Sequence, residues 1–368
     1  MSEAILGLLR PGLRELHAYE VPAMPGIEVK LDANESPYVL PQDAQDALAR
    51  ELAALPVNRY PDPRATALRE LLAEEYGVAP ESLLFGNGSD EIIQILISCL
   101  ARPRAGATCA SILFPTPTFS VFQLFATTLG VRSVGVPTAD DFILDMPAMR
   151  AALASARPNI AFFARPNNPT GTLWSGDDLL ALAKEFPETL FVSDEAYGEY
   201  ATGSLVGALS SYPNLLVMKT LSKIGLAGLR VGFAIGAPSL IAELDKARAP
   251  YNVSSVNQTA AHWVMSNCRE LLRTQCAEIV AERAAMDTAL RELSQLRVFP
   301  SEANLILFRV GTPGAGDGPK LWESLCRRGV LIRTFGSAGP LADCLRVTLG
   351  TATENQRFLA ALQESLAG

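Results

Sequence analysis

The chain has 368 residues, 49% hydrophobic and 19% charged, enough apolar material for two packed units or one large one. Its formal net charge of −8 and the absence of a long Lys or Arg run speak against a nucleic-acid or anionic-membrane partner. Six scattered cysteines without a C-x-x-C pair read as reduced, buried thiols, and two histidines, His17 and His262, cannot supply a histidine-rich metal site.

The N-terminal stretch Met1 to Leu13 has no cleavable signal pattern. The most apolar run, Ile92 to Ala101, is too short to span a bilayer. A soluble, cytoplasmic protein is the expectation. The Pro-rich segment Pro11 to Pro41 reads as an arm that packs elsewhere. Gly86-Asn87-Gly88 reads as a tight turn that opens a helix, with Ser89 as its cap, Asp90 and Glu91 in its first turn, and Ile92, Ile93, Leu96 and Leu100 on its apolar face.

Short buried strands are expected at Ile112 to Phe114, Val131 to Val136, Ile160 to Phe163, Leu190 to Ser193, Leu215 to Met218 and Val231 to Ile235, with helical segments such as Ser175 to Phe186 between them. This alternation predicts an α/β fold with a largely parallel sheet and ligand groups at the strand ends. Beyond Ala249 a helical stretch (Val256 to Leu293) leads to strands at Asn304 to Phe308, Val330 to Ile332 and Leu345 to Thr348, with a flexible loop at Gly311 to Gly318. That part reads as a smaller α+β domain. The expected division is an arm (1–30), a small domain (31–60 with 250–368) and a large domain (61–249).

The most informative run is Thr220-Leu221-Ser222-Lys223-Ile224-Gly225-Leu226-Ala227-Gly228-Leu229-Arg230. A buried strand that ends in a hydroxyl residue, a lysine and glycines can present an amine to a bound carbonyl, with Arg230 as a fixed cation nearby. The combination suits a cofactor carrying an aldehyde and a phosphate, which is pyridoxal phosphate (PLP). Asp194 follows the strand Leu190 to Ser193, where a carboxylate can bond a pyridine nitrogen, although Asp-Glu-Ala also starts helices. The Gly88-Ser89-Asp90 turn offers free backbone N–H groups for a phosphate, provided the Asp90 side chain points away. Ser222 adds a hydroxyl and Arg230 a bidentate cation. Arg346 lies in an otherwise apolar strand, where an unpaired charge is costly. A nicotinamide dehydrogenase is disfavoured, because Gly86 and Gly88 lack the third glycine and the ribose-binding acid.

Taken with Asn34-Glu35-Ser36-Pro37, Arg59-Tyr60-Pro61-Asp62-Pro63, Gly86 to Glu91, Asn167-Asn168-Pro169-Thr170-Gly171, Asp194-Glu195-Ala196-Tyr197 and Leu345 to Gly350, the lysine run resembles the fold-type I PLP-dependent aminotransferases. The likeness is greatest to the histidinol-phosphate aminotransferases and covers about residues 31 to 350. It implies a large PLP-binding domain with a mostly parallel sheet, a smaller α+β domain and a homodimer. It assigns Lys223 to the cofactor aldehyde and to proton transfer, and Asp194 to the ring nitrogen. Asn168 and Tyr197 match donors to the ring oxygen, and Phe119 matches a stacking aromatic where the family commonly has Tyr. Ser89, Asp90, Ser222 and Arg230 match the phosphate site, and Tyr60 a residue reaching the neighbouring subunit's cofactor. Arg346, Arg333 and Tyr19 match positions that anchor or close over acidic substrates. Plain alternatives stand beside these: core packing for Phe119, a turn for Asn168 and Tyr60, a solvated strand position for Arg333. Lys223 and Arg230 are one residue closer than in many relatives, and Arg165 stands where relatives often carry an uncharged residue.

The implied reaction is transamination between L-histidinol phosphate and 2-oxoglutarate, giving imidazole-acetol phosphate and glutamate, within histidine biosynthesis. The same scaffold also hosts aromatic or broad-range aminotransferases and threonine-phosphate decarboxylases.

Overall fold

A computed structural model describes residues 3–10, 12–16, 18 and 24–367. Twelve strands form two sheets among these residues. In chain order they are β1 (Val29–Leu31), β2 (Leu83–Asn87), β3 (Ser111–Thr116), β4 (Arg132–Pro137), β5 (Ile160–Ala164), β6 (Leu190–Asp194), β7 (Leu215–Thr220), β8 (Val231–Ile235), β9 (Leu296–Val298), β10 (Leu305–Val310), β11 (Val330–Thr334) and β12 (Cys344–Thr348).

The first sheet has seven strands in the order β2-β8-β7-β6-β5-β3-β4. Strands β4, β3, β5, β6 and β7 run parallel, while β8 is antiparallel to both β7 and β2. Every residue of β5, β6, β7 and β8 is buried, which is why these strands read as continuous apolar runs rather than alternating ones. Helices cover both faces. Ser89–Cys99 packs on β2, β7 and β8, and Gly176–Glu185 packs beside β6. The carboxyl ends of β5, β6 and β7 lie in register, with Ala164 opposite Asp194 and Asp194 opposite Met218. Ligand groups in such sheets gather at that edge.

The second sheet has the order β1-β11-β12-β10-β9, with β1 parallel to β11 and the rest antiparallel. The segment 29–31, close to the N-terminus in sequence, is thus an edge strand of the sheet built by the C-terminal part of the chain. The expected helical stretch after Ala249 is two helices, Ser255–Asn267 and Arg269–Arg291. The second has 23 residues, about 34 Å of helix. Its buried Arg283 donates to the carbonyls of Tyr200 (3.2 Å) and Ala303 (3.0 Å) and pairs with Glu302 (2.9 Å), joining the two sheets' surroundings.

Three local expectations need correction. Gly86 and Asn87 end strand β2 instead of forming a turn. The Gly311 to Gly318 segment is not free: Gly318 lies in helix Asp317–Arg327, and the Asp343 carboxylate accepts from the backbone N–H groups of Gly314 (2.7 Å), Gly316 (3.3 Å) and Gly318 (2.9 Å). These bonds hold the Asp343 carboxyl below the usual aspartate range against the opposing effect of its burial. The cysteines are free, as expected, but Cys99 is exposed and only Cys268, Cys276 and Cys344 are fully buried.

Candidate active site

The lysine run leaves β7 at Thr220, whose hydroxyl bonds the Ser222 hydroxyl (2.9 Å) and the Val231 carbonyl (3.1 Å) and accepts from the Ser222 N–H (3.1 Å). Two short 3-10 turns, Ser222–Ile224 and Ala227–Leu229, then carry the chain to β8. The close Lys223 to Arg230 spacing is accommodated by left-handed backbone at Gly225 (φ 103°) and at Arg230 itself (φ 49°). The Lys223 carbonyl accepts a short hydrogen bond from the Tyr200 hydroxyl, and its Nζ lies 5.7 Å from the centre of the Tyr197 ring. Lys219, four residues earlier, is buried in β7 and paired with Glu195 (3.3 Å), so its amine is committed elsewhere.

Asp194 ends β6 and is 4% exposed. Its Oδ1 accepts from the Ala196 N–H at 3.1 Å. Burial pushes its carboxyl from the ordinary value of 3.8 up to about 7, with the negative Asp90 and Glu195 adding to the rise and the Ala196 N–H and the Lys223 ammonium opposing it. A buried acid in this condition is matched by a partner that brings a positive N–H.

Tyr197 and Asn168 are both gripped from the second sheet. Asn34 Nδ2 donates to the Tyr197 hydroxyl at 2.8 Å. Arg346 Nη1 donates to Asn168 Oδ1 at 2.6 Å, and its Nη2 donates to the Asp32 carbonyl at 2.7 Å. With its oxygen so engaged, Asn168 keeps Nδ2 as a donor, and Tyr197, accepting from Asn34, keeps its own proton.

The anion cradle is built by Gly88, which starts helix Ser89–Cys99 at φ 78°. Ser89 is the first helical residue and not its cap, because Gly88 fills that position with no side-chain cap bond. A Cβ at Gly88 would lie 2.4 Å from Arg230 Nη2, and one at Gly232 would lie 2.4 Å from the Ser89 nitrogen. Glycine at both positions lets the guanidinium and the helix's first N–H groups converge. The Asp90 side chain does not point away: its carboxylate meets Arg230 Nη2 at 3.2 Å. The pair is about half exposed, so it is a weak bond that an incoming anion can replace. A buried acid, a nearby amine, two neutral donors and a cation over helix N–H groups make a donor set that fits PLP.

Phe119 is half-buried and meets Phe122 edge-on at 5.8 Å. Arg333 is exposed and directly opposite Arg346 across the β11–β12 pair. Opposed like charges destabilise a sheet unless an anion sits between them. Tyr60 is 81% exposed and stacked on Tyr251 at 4.5 Å. Tyr19 lies outside the described residues, as does His17. No group of His, Cys, Asp and Glu able to hold a metal ion occurs among the described residues.

Four residues beyond the expected set shape this site. Asn34 holds Tyr197, and Tyr200 holds the Lys223 carbonyl. Glu195 is 2% exposed and accepts from Ser204 Oγ (2.6 Å) and the Leu205 N–H (2.8 Å). Arg165, left without an account by the sequence, is buried and donates to the carbonyls of Trp174 (2.7 Å) and Gly203 (2.6 Å), while its own N–H bonds the Asp194 carbonyl (2.7 Å). It clamps the loop after Asp194. The one available signal was charge in an apolar context, since a buried guanidinium must find acceptors.

The family model for aminotransferase class I and II matches residues 27–362. A histidinol-phosphate aminotransferase of Chromobacterium violaceum is 40% identical over 99% of both chains. One from Methylibium petroleiphilum is 42% identical over 99% of this chain and 96% of its own. Among solved structures, histidinol-phosphate aminotransferase from Sinorhizobium meliloti, in complex with pyridoxal-5'-phosphate, superposes with a TM-score of 0.83 at 26% identity, covering 93% of this chain and 91% of that one.

Proposed function

The chain belongs to the class I and II aminotransferase family, and within it we propose that it transfers the amino group between L-histidinol phosphate and 2-oxoglutarate, with PLP as cofactor, in histidine biosynthesis. The observation that carries this reading is Asp194, a carboxyl buried at the end of β6 within electrostatic reach of Lys223. When bound, PLP supplies an aldehyde that takes up the substrate amine and a protonated ring that accepts the electrons released at Cα.

The residues do the rest. With the cofactor bound, Lys223 Nζ would take the proton from the substrate Cα as general base and, as general acid, give it up at the former aldehyde carbon. The Asp194 carboxylate would hold the proton on the ring nitrogen, the Tyr197 hydroxyl and Asn168 Nδ2 would donate to the ring oxygen, and Phe119 would offer an aromatic surface to the ring. The Ser89 and Asp90 backbone N–H groups, the Ser222 hydroxyl and the Arg230 guanidinium would hold the cofactor phosphate. Arg346 and Arg333 anchor the phosphate of one substrate and a carboxylate of the other in turn, since a guanidinium fork suits both.

We infer a homodimer in which Tyr60 of each subunit reaches the other's cofactor phosphate. Tyr60 is 81% exposed, which leaves its ring accessible for such a contact. We assign the enzyme to the cytoplasm.

The test is glutamate formation from L-histidinol phosphate and 2-oxoglutarate, run beside phenylalanine and threonine phosphate. A clear preference for phenylalanine, or carbon dioxide release from threonine phosphate, would remove the substrate assignment.

A further inference from the structure

Asn34 is 2% exposed and takes left-handed backbone (φ 55°), a conformation that asparagine tolerates better than most residues. Three bonds from the second sheet fix it. Its N–H donates to Thr348 Oγ1 (3.0 Å), the Thr348 hydroxyl donates back to Asn34 Oδ1 (3.1 Å), and Asn304 Nδ2 donates to its carbonyl (3.2 Å). In this network the amide is oriented with Oδ1 accepting from the Thr348 hydroxyl and Nδ2 facing the Tyr197 hydroxyl at 2.8 Å. A phenol that accepts there has its own proton left to donate in another direction. An aspartate or a flipped amide at position 34 would instead take that proton.

We propose that Asn34, locked by Thr348, is a positioning residue that holds the Tyr197 phenol as a donor toward the cofactor's ring oxygen. Thr348 is in β12, two residues from Arg346 and on the same face of the strand, so one strand of the second sheet sets the polarity of both ring-oxygen donors. The inference rests on the reading above that Tyr197 bonds PLP.

The test is the pH titration of the visible absorbance of the PLP-loaded enzyme, a readout that turnover and folding do not enter. A donor to the ring oxygen lowers the proton affinity of the conjugated lysine nitrogen, so its loss raises the titration midpoint. Asn34→Gly, which keeps the left-handed backbone, should raise the midpoint by about 0.5 to 1 pH unit, the size of one lost hydrogen bond. Thr348→Val, which leaves the amide free to turn, should raise it by less. Neither should move it further in a Tyr197→Phe background, which carries its own upward shift. An unchanged midpoint in Asn34→Gly, or a shift that persists undiminished beside Tyr197→Phe, would overturn the proposal. Failure of the underlying reading looks different: the parent enzyme would show no titrating visible band, or Lys223→Ala would retain it.

Discussion

Replacing Asp194 by asparagine should stabilise the cofactor-free protein while removing its activity. In the folded chain, burial raises the Asp194 carboxyl from 3.8 to about 7. The folded state therefore binds a proton that the unfolded state has released between about pH 4 and pH 7, and stability falls as pH rises through that window. At 1.36 kcal/mol per unit, the full penalty at pH 8 is about 4 kcal/mol, of which about 2–3 kcal/mol develops between pH 5 and pH 8. Asparagine keeps the shape and can still accept from the Ala196 N–H, but it carries no charge to desolvate. Urea unfolding of the apo forms of both proteins at pH 5, 6, 7 and 8 measures the difference directly. The asparagine variant should gain on the parent as pH rises, and the gap should close when PLP is added to the parent, because a bound cation then favours the ionised carboxylate. Parallel pH profiles for the two apo proteins would refute the reasoning, whatever the activities.

Lys219→Met should cost about 3 kcal/mol in urea unfolding, because it strands the buried Glu195 carboxylate, and Lys219→Met with Glu195→Gln should cost less than the two changes summed. A single-variant loss below about 0.5 kcal/mol would show that the pair is not a working ion pair. Gly88→Ala should weaken PLP binding by about tenfold to a hundredfold in absorbance titrations of the apo enzyme, since its Cβ displaces Arg230 and strains a φ of 78°; unchanged affinity would argue against the cradle. Mixing inactive Tyr60→Ala and Lys223→Ala proteins and allowing subunits to exchange should restore about a quarter of parental activity, as expected for sites completed across a two-fold interface. Continued inactivity in verified heterodimers would place Tyr60 outside the site.

The central strands were legible because each is buried on both faces, so an apolar run such as Leu215–Met218 has one reading. The positions of Asp194 and Lys223 follow from those strands: Asp194 ends β6, and Lys223 lies three residues past the end of β7. Strand β2 was obscured by Gly86-Asn87, which look like a turn until Gly86 is found opposite Gly232. Those two small residues let β8 approach the first turn of helix Ser89–Cys99. The Asp90–Arg230 pair and the Asn34–Tyr197 bond join residues 140 and 163 positions apart, and no periodicity carries that information. Asn34 stood in plain view within Asn34-Glu35-Ser36-Pro37, yet its task depends on Thr348 at the other end of the chain. Arg165 was similarly opaque, since its acceptors are backbone carbonyls that exist only once the loop after Asp194 has folded.

The account is tested most directly by incubating the purified protein with PLP, reducing it with borohydride and mapping the modified peptide by mass spectrometry. A single pyridoxyl adduct on Lys223, absent from Lys223→Ala, is the predicted result. A protein that stays colourless with PLP, or one that carries its adduct on Lys219 or elsewhere, would contradict it.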